Sequence, residues 1–563
     1  MIKKYRIQII LFCLTLIALG LRLYGITQTP PSLNWDEASH GYNAFSLLQT
    51  SRDEWGARLP LLFTAFGDFK LPVYIYLTTI PVYILGLTPL AVRLVSIIAG
   101  TLAIPLIYFL TREFFPKKKI YIFKRNLPLG LMAATLLTFM PWHFFLSRPA
   151  LEANLALTFI MAAMLFLRKG LRKPSLYFFS ALFFGLSLHT YNSARVFVPL
   201  ILLAFLFIYR RRLKFNWQHI LPVLLLLVFV FPVAYQFLSG SGTARYQKLA
   251  ILSNANVFQI GEARANSSLP PLVARLIHNR PVFFVSHFIG YYLSYFSLGF
   301  FTQTNGPQSQ FSIPGEHLLT ISGYALAGIG LYYLISSLKH RRFQLLFAWL
   351  LLSPVAASLT ADPPQAIRPL IMIPVLVLLM ILALNKLMSP VLNSHQRTVS
   401  LGIIFLVYLF CFGYYFKNYF TTYRDQYSQS WQYGYSQLYQ YLDEHDRNVD
   451  NIFVTKRYGE PHIFYAIHHQ TDPHKLWPNS EDSIRFYQTN WYWTDKIDNY
   501  YFINDWQIPD EKANILPLES GGDIDTHNSL LVTTSEHLPT NGRILKVISF
   551  LDGQPAFVIM YLP

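Results

Sequence analysis

Long apolar runs recur through the first 416 residues, and they restrict what this chain can fold into more than any other feature. A helix that crosses the hydrocarbon core of a bilayer needs about 20 mainly apolar residues. Eleven runs come close enough to that length to be candidate spans. They predict a mainly α-helical protein that crosses a membrane many times. The candidate spans cover residues 6–24, 89–111, 127–145, 149–167, 174–190, 194–209, 218–238, 316–337, 343–360, 369–386 and 399–416.

The composition supports a membrane protein. Of the 563 residues, 53% are hydrophobic and 13% are charged, whereas soluble domains carry about 25% charged residues. The 16% aromatic content suits the interfaces of a bilayer, where Tyr and Trp concentrate. These fractions exclude a coiled coil, a disordered chain and a disulfide-rich secreted domain. Cys13 and Cys411 lie in apolar runs, so they indicate neither a disulfide framework nor a metal site.

The net charge of +17 is divided unevenly along the chain. Up to residue 416 there are 35 Lys and Arg against 10 Asp and Glu, and after it there are 11 against 19. With the N-terminus inside, 22 of the first 35 cations fall on the cytoplasmic side and nine of the ten acids fall outside. Because cytoplasmic loops are rich in Lys and Arg, this pattern describes membrane topology rather than a nucleic-acid partner. It predicts a multi-pass cell-membrane protein with a cytoplasmic N-terminus and an extracytoplasmic C-terminal domain.

The spans divide the chain into two predicted domains. Residues 1–416 form a transmembrane domain, with a first outer loop at 25–88 and a second large outer loop at 239–315. Residues 417–563 form a soluble α/β domain, in which Asp552-Gly553 signals a hairpin between the last two strands. Its strand-like runs cover residues 451–455, 500–503, 529–533, 543–550 and 556–562.

Three apolar stretches need a separate interpretation. Residues 71–86 contain two prolines and number only sixteen, so they predict a juxtamembrane helix that Lys70 begins and that lies in the outer leaflet. Residues 281–302 are long enough to cross, but crossing would invert the side of the following cations, so a re-entrant or interfacial helix is expected. Residues 1–24 have features of a signal peptide, and we expect an uncleaved first helix there.

The first outer loop contains the segment Asn34-Trp35-Asp36-Glu37-Ala38-Ser39-His40. Two adjacent carboxylates directly after a transmembrane helix are costly to hold beside apolar surface, and one of them is suited to accept a proton from a hydroxyl. The alternative is a solvated pair of interfacial acids.

Further along the loop, the segment Gly67-Asp68-Phe69-Lys70-Leu71-Pro72 places a Lys at the outer interface. It could pair with a lipid phosphate or extend its ammonium group toward water.

Three further polar motifs follow spans three, five and nine, on the same predicted side of the membrane. Each motif alone could be a helix-end anchor. Together they favour a polar pocket at the outer face, with cations for a phosphate, a carboxylate for proton removal and an apolar groove for a lipid tail. The candidate residues of the three motifs are His143, Arg148 and Glu152; Tyr191 and Arg195; and Asp362, Gln365 and Arg368, with His40 and Asp68 joining them from the first outer loop.

These motifs resemble those of the GT-C membrane glycosyltransferases, most of all the branch that contains the protein O-mannosyltransferases and the aminoarabinose transferase of lipid A. Asp36-Glu37 follows the first helix, and Asp68-Phe69-Lys70-Leu71-Pro72 is similar to the family's segment of an acid, a Lys or His and two prolines. Arg93-Leu94-Val95-Ser96 and Ser147-Arg148-Pro149-Ala150-Leu151-Glu152 also fit. Leu71 departs from the usual Pro. The tail does not resemble the luminal domain of the O-mannosyltransferases, so the acceptor does not carry over.

The resemblance implies a glycosyltransferase that moves a sugar from a polyprenyl-phosphate donor to an acceptor hydroxyl of a lipid, glycan or protein. Asp36 would be the general base in a single inverting displacement, with Glu37 orienting the acceptor or tuning Asp36 and Glu152 assisting. Lys70 would be the first contact of the donor phosphate, and Arg148, Arg195 and Arg368 would be weaker ones. No cofactor is required, because cations neutralise the leaving phosphate. A divalent metal ion bound by Asp36 and Glu152 is an alternative, as related oligosaccharyltransferases suggest, but we do not predict it.

Two other functions compete with this interpretation. A lipid or sugar transporter or flippase would be expected to place ionisable residues near the midplane and to show repeated halves, and the sequence shows neither. A polysaccharide ligase or polymerase of the same superfamily would use a longer lipid-linked glycan as its donor.

Overall fold

The computed structural model describes residues 2–116, 119–122, 125–213, 216–238, 251–252, 254–302, 306, 308–361, 364–388, 394–445 and 449–563. The chain divides into two compact units. The membrane unit comprises Met1–Tyr24 and Ser96–Lys417, and the outer unit comprises Gly25–Val95 and Asn418–Pro563. The outer unit therefore combines the first outer loop with the C-terminal segment. The predicted domain boundary at residue 416 stays a prediction.

Helices make up most of the membrane unit and part of the outer unit. In chain order the helices are α1 (Ile2–Leu23), α2 (Trp35–Thr50), α3 (Pro72–Leu85), α4 (Pro89–Phe114), α5 (Leu129–Thr138), α6 (Pro141–Leu146), α7 (Glu152–Gly170), α8 (Tyr177–Leu188), α9 (Asn192–Tyr209), α10 (Ile220–Leu238), α11 (Asn254–Ala265), α12 (Pro271–Ile277), α13 (Arg280–Ser294), α14 (Leu298–Thr302), α15 (Ile321–Ile335), α16 (Arg341–Leu352), α17 (Val355–Ser358), α18 (Ile373–Leu387), α19 (Ser394–Phe420), α20 (Thr422–Gln426), α21 (Tyr435–His445) and α22 (Pro461–His468).

Every predicted span coincides with helical structure, and the predicted mainly α, polytopic membrane fold is confirmed. Among the described residues, seven helices are long and apolar enough to cross a membrane. Others, such as α5 and α15, are apolar but shorter, so the total of eleven spans stays a prediction. The seven helices are Tyr5–Leu23, Pro89–Phe114, Glu152–Gly170, Asn192–Tyr209, Trp217–Leu238, Leu370–Leu387 and His395–Gln426.

The third predicted span is broken into two helices, α5 and α6. Phe139 and Met140 separate them, and Met140 has extended backbone angles (φ −83°, ψ 119°). Pro141 follows directly and occupies the first turn of α6. A proline disfavours helical geometry in the residue before it, and its fixed φ suits a helix start. The break therefore follows from the position of this proline.

Helix α18 is buried along most of its length within the membrane unit, whereas α1, α10 and α19 are mostly exposed. Exposed apolar helices are what a protein that faces lipid requires, because lipid tails solvate apolar side chains. Helix α15 packs against α18. A Cβ at Gly330 of α15 would collide with the Leu379 backbone of α18, so only glycine permits this close approach.

The first outer loop contains helix α2, a short hairpin of strands β1 (Phe63–Ala65) and β2 (Asp68–Lys70), and helix α3. Helix α3 confirms a helix in the stretch 71–86, while its position in the outer leaflet stays a prediction. The expectation that Lys70 begins this helix is wrong, because Lys70 ends β2 and the helix begins at Pro72. Leu71 caps it in an extended conformation (φ −78°, ψ 145°), as expected for a residue that precedes proline.

A seven-stranded sheet forms the centre of the C-terminal segment. The strands after β2 are β3 (Lys119–Ile122), β4 (Arg125–Pro128), β5 (Asn451–Thr455), β6 (Ser483–Gln488), β7 (Trp491–Ile497), β8 (Tyr500–Ile503), β9 (Ile515–Pro517), β10 (Asp523–Asp525), β11 (Ser529–Thr533), β12 (Arg543–Ser549) and β13 (Pro555–Leu562). The order of the sheet is β12-β13-β11-β5-β8-β7-β6, with β5 parallel to both β11 and β8 and antiparallel pairs at the edges. The five predicted strands and the hairpin after β12 are present, while β6, β7 and the β9–β10 pair were not predicted.

One hydrophobic core joins the first outer loop to one face of this sheet. Ala38 and Tyr42 of α2 and Phe66 of the hairpin pack with residues of α21, α22 and the central strands, such as Leu438 and Ile463. A second core covers the other face of the sheet. Because the loop contributes side chains to the first core, it depends on the C-terminal segment for its fold.

The second large outer loop is described only in part, because residues 239–250 and several later positions lie outside the described residues. Its described helices are α11 to α14. Helix α13 has 15 residues, fewer than the about 20 that a bilayer crossing needs. The stretch 281–302, expected to be re-entrant or interfacial, thus consists of α13 and the short α14 rather than one long helix.

Candidate active site

The start of helix α2 positions the two adjacent carboxylates. Asn34 is the N-cap, and its side-chain oxygen accepts a hydrogen bond of 2.9 Å from the Glu37 backbone N–H. The Glu37 carboxylate in turn accepts a hydrogen bond of 3.2 Å from the Asn34 N–H. This reciprocal capping box satisfies two backbone donors at the helix start. It fixes Asp36 in the first turn, where the partial positive charge of the helix favours an anion.

Asp36 forms an ion pair with Lys70 from the end of β2. The Asp36 side chain is 46% exposed, whereas the Lys70 side chain is 9% exposed. The Lys70 ammonium also lies 5.9 Å from the centre of the Phe66 ring. The carboxylate is therefore open to solvent on one side and held by a largely buried cation on the other.

Glu37 is fully buried and pairs with Arg93 of α4, which is also fully buried. Arg93 Nε and Nη2 lie 2.9 Å from the two Glu37 carboxylate oxygens. A guanidinium and a carboxylate match in this bidentate geometry. The two adjacent acids thus have different environments, one accessible and one enclosed.

The remaining donors of Arg93 hold the segment that leads to α2. Nη1 donates to the carbonyls of Ile26 and Pro30 at 2.7 and 3.0 Å, and Nη2 donates to the carbonyl of Ser32 at 2.5 Å. With the two bonds to Glu37, all five N–H donors of the guanidinium have acceptors. Arg93 consequently fixes the chain on both sides of Asn34.

The C-terminal segment also contacts the start of α2. The Trp35 N–H donates to Gln432 Oε1 at 2.7 Å, and the Gln432 amide donates to the Tyr458 carbonyl at 2.5 Å. Gly459 has a positive φ of 112°, and a Cβ there would collide with the Trp35 ring. Glycine is required at this point both for its backbone angle and for the close approach.

A second buried ion pair ties the loop to the sheet. Arg485 of β6 donates to the Glu54 carboxylate at 3.0 Å and to the Glu54 carbonyl at 2.6 Å. Its guanidinium lies 3.6 Å from the centre of the Trp55 ring, and Asn43 of α2 donates to Glu54 at 2.9 Å. Burial is the main cause that lowers the pKa of Arg485, and the Glu54 carboxylate opposes it.

Of the other predicted outer-loop residues, His40 is buried on α2 with its ring 5.0 Å from the Tyr74 ring. Asp68 lies on β2 and accepts a hydrogen bond of 2.7 Å from the Phe69 N–H. Asp36, Glu37, Lys70, His40 and Asp68 therefore all belong to the outer unit.

The predicted residues after the third span lie in the membrane unit. Arg148 is fully buried, and its Nη1 donates to the Leu21 and Arg22 carbonyls at 2.8 Å each. Arg22 Nη2 lies 2.9 Å from His143 Nδ1. Arg148 therefore binds the last carbonyls of α1, a favourable position for a cation. Glu152 is the first residue of α7.

The remaining predicted residues also lie in the membrane unit. Arg195 of α9 donates to the Leu188 carbonyl at 3.1 Å and to Gln236 at 2.8 Å, and Tyr191 is the N-cap of that helix. Arg368 donates to Thr360 Oγ1 at 2.5 Å and to the Ala361 carbonyl at 2.8 Å. The Gln365 N–H donates to the Tyr295 hydroxyl at 3.3 Å. Asp362 lies outside the described residues.

The structure adds residues that the sequence did not single out as site residues. These residues are Arg93, Glu54 and Arg485. Arg93 pairs with Glu37 and Arg485 pairs with Glu54, and these two buried ion pairs hold the first outer loop. Arg93 lies inside the predicted span 89–111. An Arg within an apolar helix is rare and usually paired, so its position was the signal that could have identified it.

The apolar helices define a polytopic membrane protein, and its outer unit holds an accessible acid beside a largely buried cation. Residues 70–235, under a third of the chain, match the family model described as dolichyl-phosphate-mannose-protein mannosyltransferase. Among curated proteins, none matches the chain by sequence.

Solved structures show the same fold. The chain is similar to the oligosaccharyltransferase of Archaeoglobus fulgidus in the apo form, with a TM-score of 0.52 and 14% identity over 83% of this chain and 64% of that one. AglB of the same organism, in complex with an inhibitory peptide and a dolichol-phosphate, has a TM-score of 0.50 and 15% identity over 79% of this chain and 58% of that one. ArnT from Cupriavidus metallidurans, bound to undecaprenyl phosphate, has a TM-score of 0.52 and 11% identity over 99% of this chain and 98% of that one.

The predicted resemblance to GT-C glycosyltransferases is thus confirmed, and at these identities the solved structures show the fold. The chain spans about six tenths of the length of the archaeal oligosaccharyltransferases and nearly the whole length of ArnT.

Proposed function

We propose that the protein is an integral-membrane glycosyltransferase that moves a sugar from a polyprenyl-phosphate donor to an acceptor hydroxyl at the outer face of the membrane. The main support is the ion pair of Asp36 and Lys70, because it places an accessible carboxylate beside a largely buried cation. The similar proteins support the donor class, since ArnT is solved with undecaprenyl phosphate and AglB with a dolichol-phosphate.

In the proposed reaction Asp36 accepts the proton of the acceptor hydroxyl. The hydroxyl oxygen forms a bond to the anomeric carbon as the bond from that carbon to the phosphate oxygen breaks, which inverts the configuration in one step. Polyprenyl phosphate leaves with the bonding electron pair. A cation beside the leaving phosphate stabilises its charge, which is the electrostatic contribution expected of a preorganised site.

Lys70 is the proposed cation for this phosphate. Its ammonium carries three N–H donors, so it can contact Asp36 and a phosphate oxygen together. Its low exposure limits competition from water and makes its charge more effective. Arg148, Arg195 and Arg368 remain weaker predictions, because each already donates to protein groups.

Glu37 is better explained as a positioning residue than as a group that contacts the acceptor. Its carboxylate is enclosed and bonded to Arg93 and to the Asn34 N–H. Glu37 and Arg93 together fix the first turn of α2 and hence the direction of Asp36. The assisting role of Glu152 stays a prediction.

We propose that this reaction needs no metal ion. The cations around the two acids support this, because Lys70 and Arg93 already balance the charges of Asp36 and Glu37. A metal chelator should consequently leave turnover unchanged.

The assay that tests the function uses the purified full-length protein with a panel of polyprenyl-phosphate monosaccharides, and it measures release of polyprenyl phosphate. Release in the presence of an acceptor alcohol supports the proposal. Absence of release with every common sugar favours the transporter or flippase, whereas release only from diphosphate-linked oligosaccharides favours the ligase or polymerase.

A further inference from the structure

Two histidines at the end of α22 face a carboxylate of α21. His468 Nε2 lies 3.0 Å from Asp443 Oδ2, and His469 Nε2 lies 2.8 Å from Asp443 Oδ1. One ligand atom from each of the three residues lies within 4.8 Å of the others. The Asp443, His468 and His469 side chains are 40%, 28% and 25% exposed, so the group is open to ions from solution.

The second nitrogen of His469 restricts the chemistry of this group. His469 Nδ1 lies 3.0 Å from the Tyr465 carbonyl oxygen. Because a carbonyl oxygen only accepts hydrogen bonds, Nδ1 must carry the hydrogen. In a neutral ring Nε2 then presents its lone pair to the Asp443 oxygen. Two lone pairs 2.8 Å apart repel each other unless a proton or a metal ion lies between them.

The same bond from Nδ1 is typical of metal sites. A histidine that binds a metal usually donates its other ring N–H to a carbonyl or carboxylate, which fixes the ring orientation. The Tyr439 ring adds a further constraint, because its centre lies 5.9 Å from each imidazole centre. The two rings are therefore oriented before any ion arrives.

We propose that Asp443, His468 and His469 bind a divalent transition-metal ion, and that zinc is the ion these ligands suit best. Two imidazole nitrogens and one carboxylate oxygen are a common zinc ligand set. Zinc holds such atoms at about 2.0–2.1 Å in a tetrahedron, so small rotations of these partly exposed side chains complete the site. Water fills the fourth position. This metal site was not expected from the sequence, and it is independent of the proposed transfer reaction.

The ion would link two helices of the outer unit. Asp443 lies in the last turn of α21, and the histidines end α22. Both helices contribute to the core that also contains Ala38 and Tyr42 of α2. Since an ion that binds only the folded state stabilises it, zinc should raise the melting temperature of the protein.

The test uses the full-length protein in detergent, purified with an affinity tag that contains no histidine. Zinc is measured by equilibrium dialysis with metal analysis, and Co²⁺ binding is followed by its visible absorption. We expect one ion per chain and a higher Tm with zinc. Asp443→Asn and His469→Gln should each weaken binding by at least about 100-fold, since loss of an outer-shell partner alone costs about 10- to 100-fold.

His474→Gln is the matched control. His474 Nδ1 lies 2.7 Å from Asp472 Oδ1 in an exposed pair of one His and one Asp, and this variant should bind zinc as the wild type does. The proposal is overturned if the wild type holds less than one ion per chain at saturating zinc, or if His469→Gln binds with unchanged affinity. The three residues would then be an ion pair of protonated histidine and Asp443.

Discussion

The Arg93 guanidinium contacts the Glu37 carboxylate at two points, with Nε 2.9 Å from one oxygen and Nη2 2.9 Å from the other. Both side chains are fully buried. The other donors of Arg93 bind three carbonyls of the preceding segment. One side chain therefore determines where the residue next to Glu37, the proposed base Asp36, is held.

Glu37→Gln should destabilise the outer unit by about 3–5 kcal/mol, because it leaves Arg93 buried without a charged partner. Thermal unfolding of the detergent-purified protein measures this effect. Arg457→Gln is the control, because Arg457 and Glu536 form an ion pair whose side chains are 50% and 62% exposed. Such pairs contribute about 0–1 kcal/mol. Equal Tm values for the two variants would show that the buried pair has no special role.

Lys70→Ala should weaken binding of the polyprenyl-phosphate donor by about 10- to 100-fold. Hydrogen bonds to charged groups contribute about 1.5–3 kcal/mol, and each 1.4 kcal/mol corresponds to about tenfold in affinity. A binding assay with labelled donor measures the change, with the exposed Lys546→Ala on β12 as the control. If the affinity of Lys70→Ala is unchanged, Lys70 only pairs with Asp36 and does not contact the donor phosphate.

Removal of residues 417–563 should unfold the first outer loop and abolish transfer to every acceptor, including water. Ala38, Tyr42 and Phe66 would lose the core that they share with α21 and α22, and Glu54 would lose Arg485. Limited proteolysis should then cut the loop between residues 25 and 88 much faster than in the intact chain. Persistent transfer to water after truncation would contradict this and would restrict the tail to guiding the acceptor.

The contribution of Glu460 to the stability of the outer unit should decrease as the pH rises from 4.5 to about 7. Burial raises the pKa of Glu460 from 4.5 to about 7, so between these values the folded state holds a proton that the unfolded state has released. This contribution therefore falls as the pH rises. Buried His462 acts in the opposite direction below pH 6.5, because the unfolded ring binds a proton that the folded ring does not. Below pH 7 the protonated carboxyl can donate to His462 Nδ1, 3.4 Å away, because burial lowers the pKa of His462 and keeps that ring neutral.

Glu460→Gln should remove this contribution, because an amide does not titrate in this range. The fold should be kept, since the amide oxygen can still accept from Trp491 Nε1, which lies 2.6 Å from the carboxylate in the wild type. Melting curves at several pH values for the wild type and the variant make the comparison. A steeper fall of Tm with pH in Glu460→Gln than in the wild type would refute the assignment.

Much of the membrane unit could be predicted because a bilayer imposes a fixed length on apolar helices. The central strands β5, β8 and β11 could be predicted for a related reason, since strands buried on both faces are continuous apolar runs. Strands β6 and β7 were missed because their sequences, SIRFYQ and WYWTDKI, mix charged and aromatic residues. Strand β6 lies at the sheet edge and β7 lies next to it, where such a mixture is permitted.

The local motif around Asp36 and the position of Lys70 were visible in the sequence, whereas the pairing of Glu37 with Arg93 and of Glu54 with Arg485 was not. Glu37 and Arg93 are 56 residues apart, and Glu54 and Arg485 are 431 apart. Pairing over such distances depends on the fold and leaves no local pattern. Spacing alone could not separate Asp36 from Glu37, because their difference in burial arises from the capping box and from Arg93.

Turnover by Asp36→Asn, compared with the wild type and with the exposed Asp523→Asn, tests the central claim most directly. The amide keeps the size of the side chain but is a far weaker proton acceptor. General-base catalysis contributes about 100- to 10,000-fold, so the rate of polyprenyl phosphate release should fall by that factor in Asp36→Asn. The affinity of this variant for the donor should stay within about twofold of the wild-type affinity. Turnover in Asp36→Asn close to that of Asp523→Asn would contradict the assignment of Asp36 as the base.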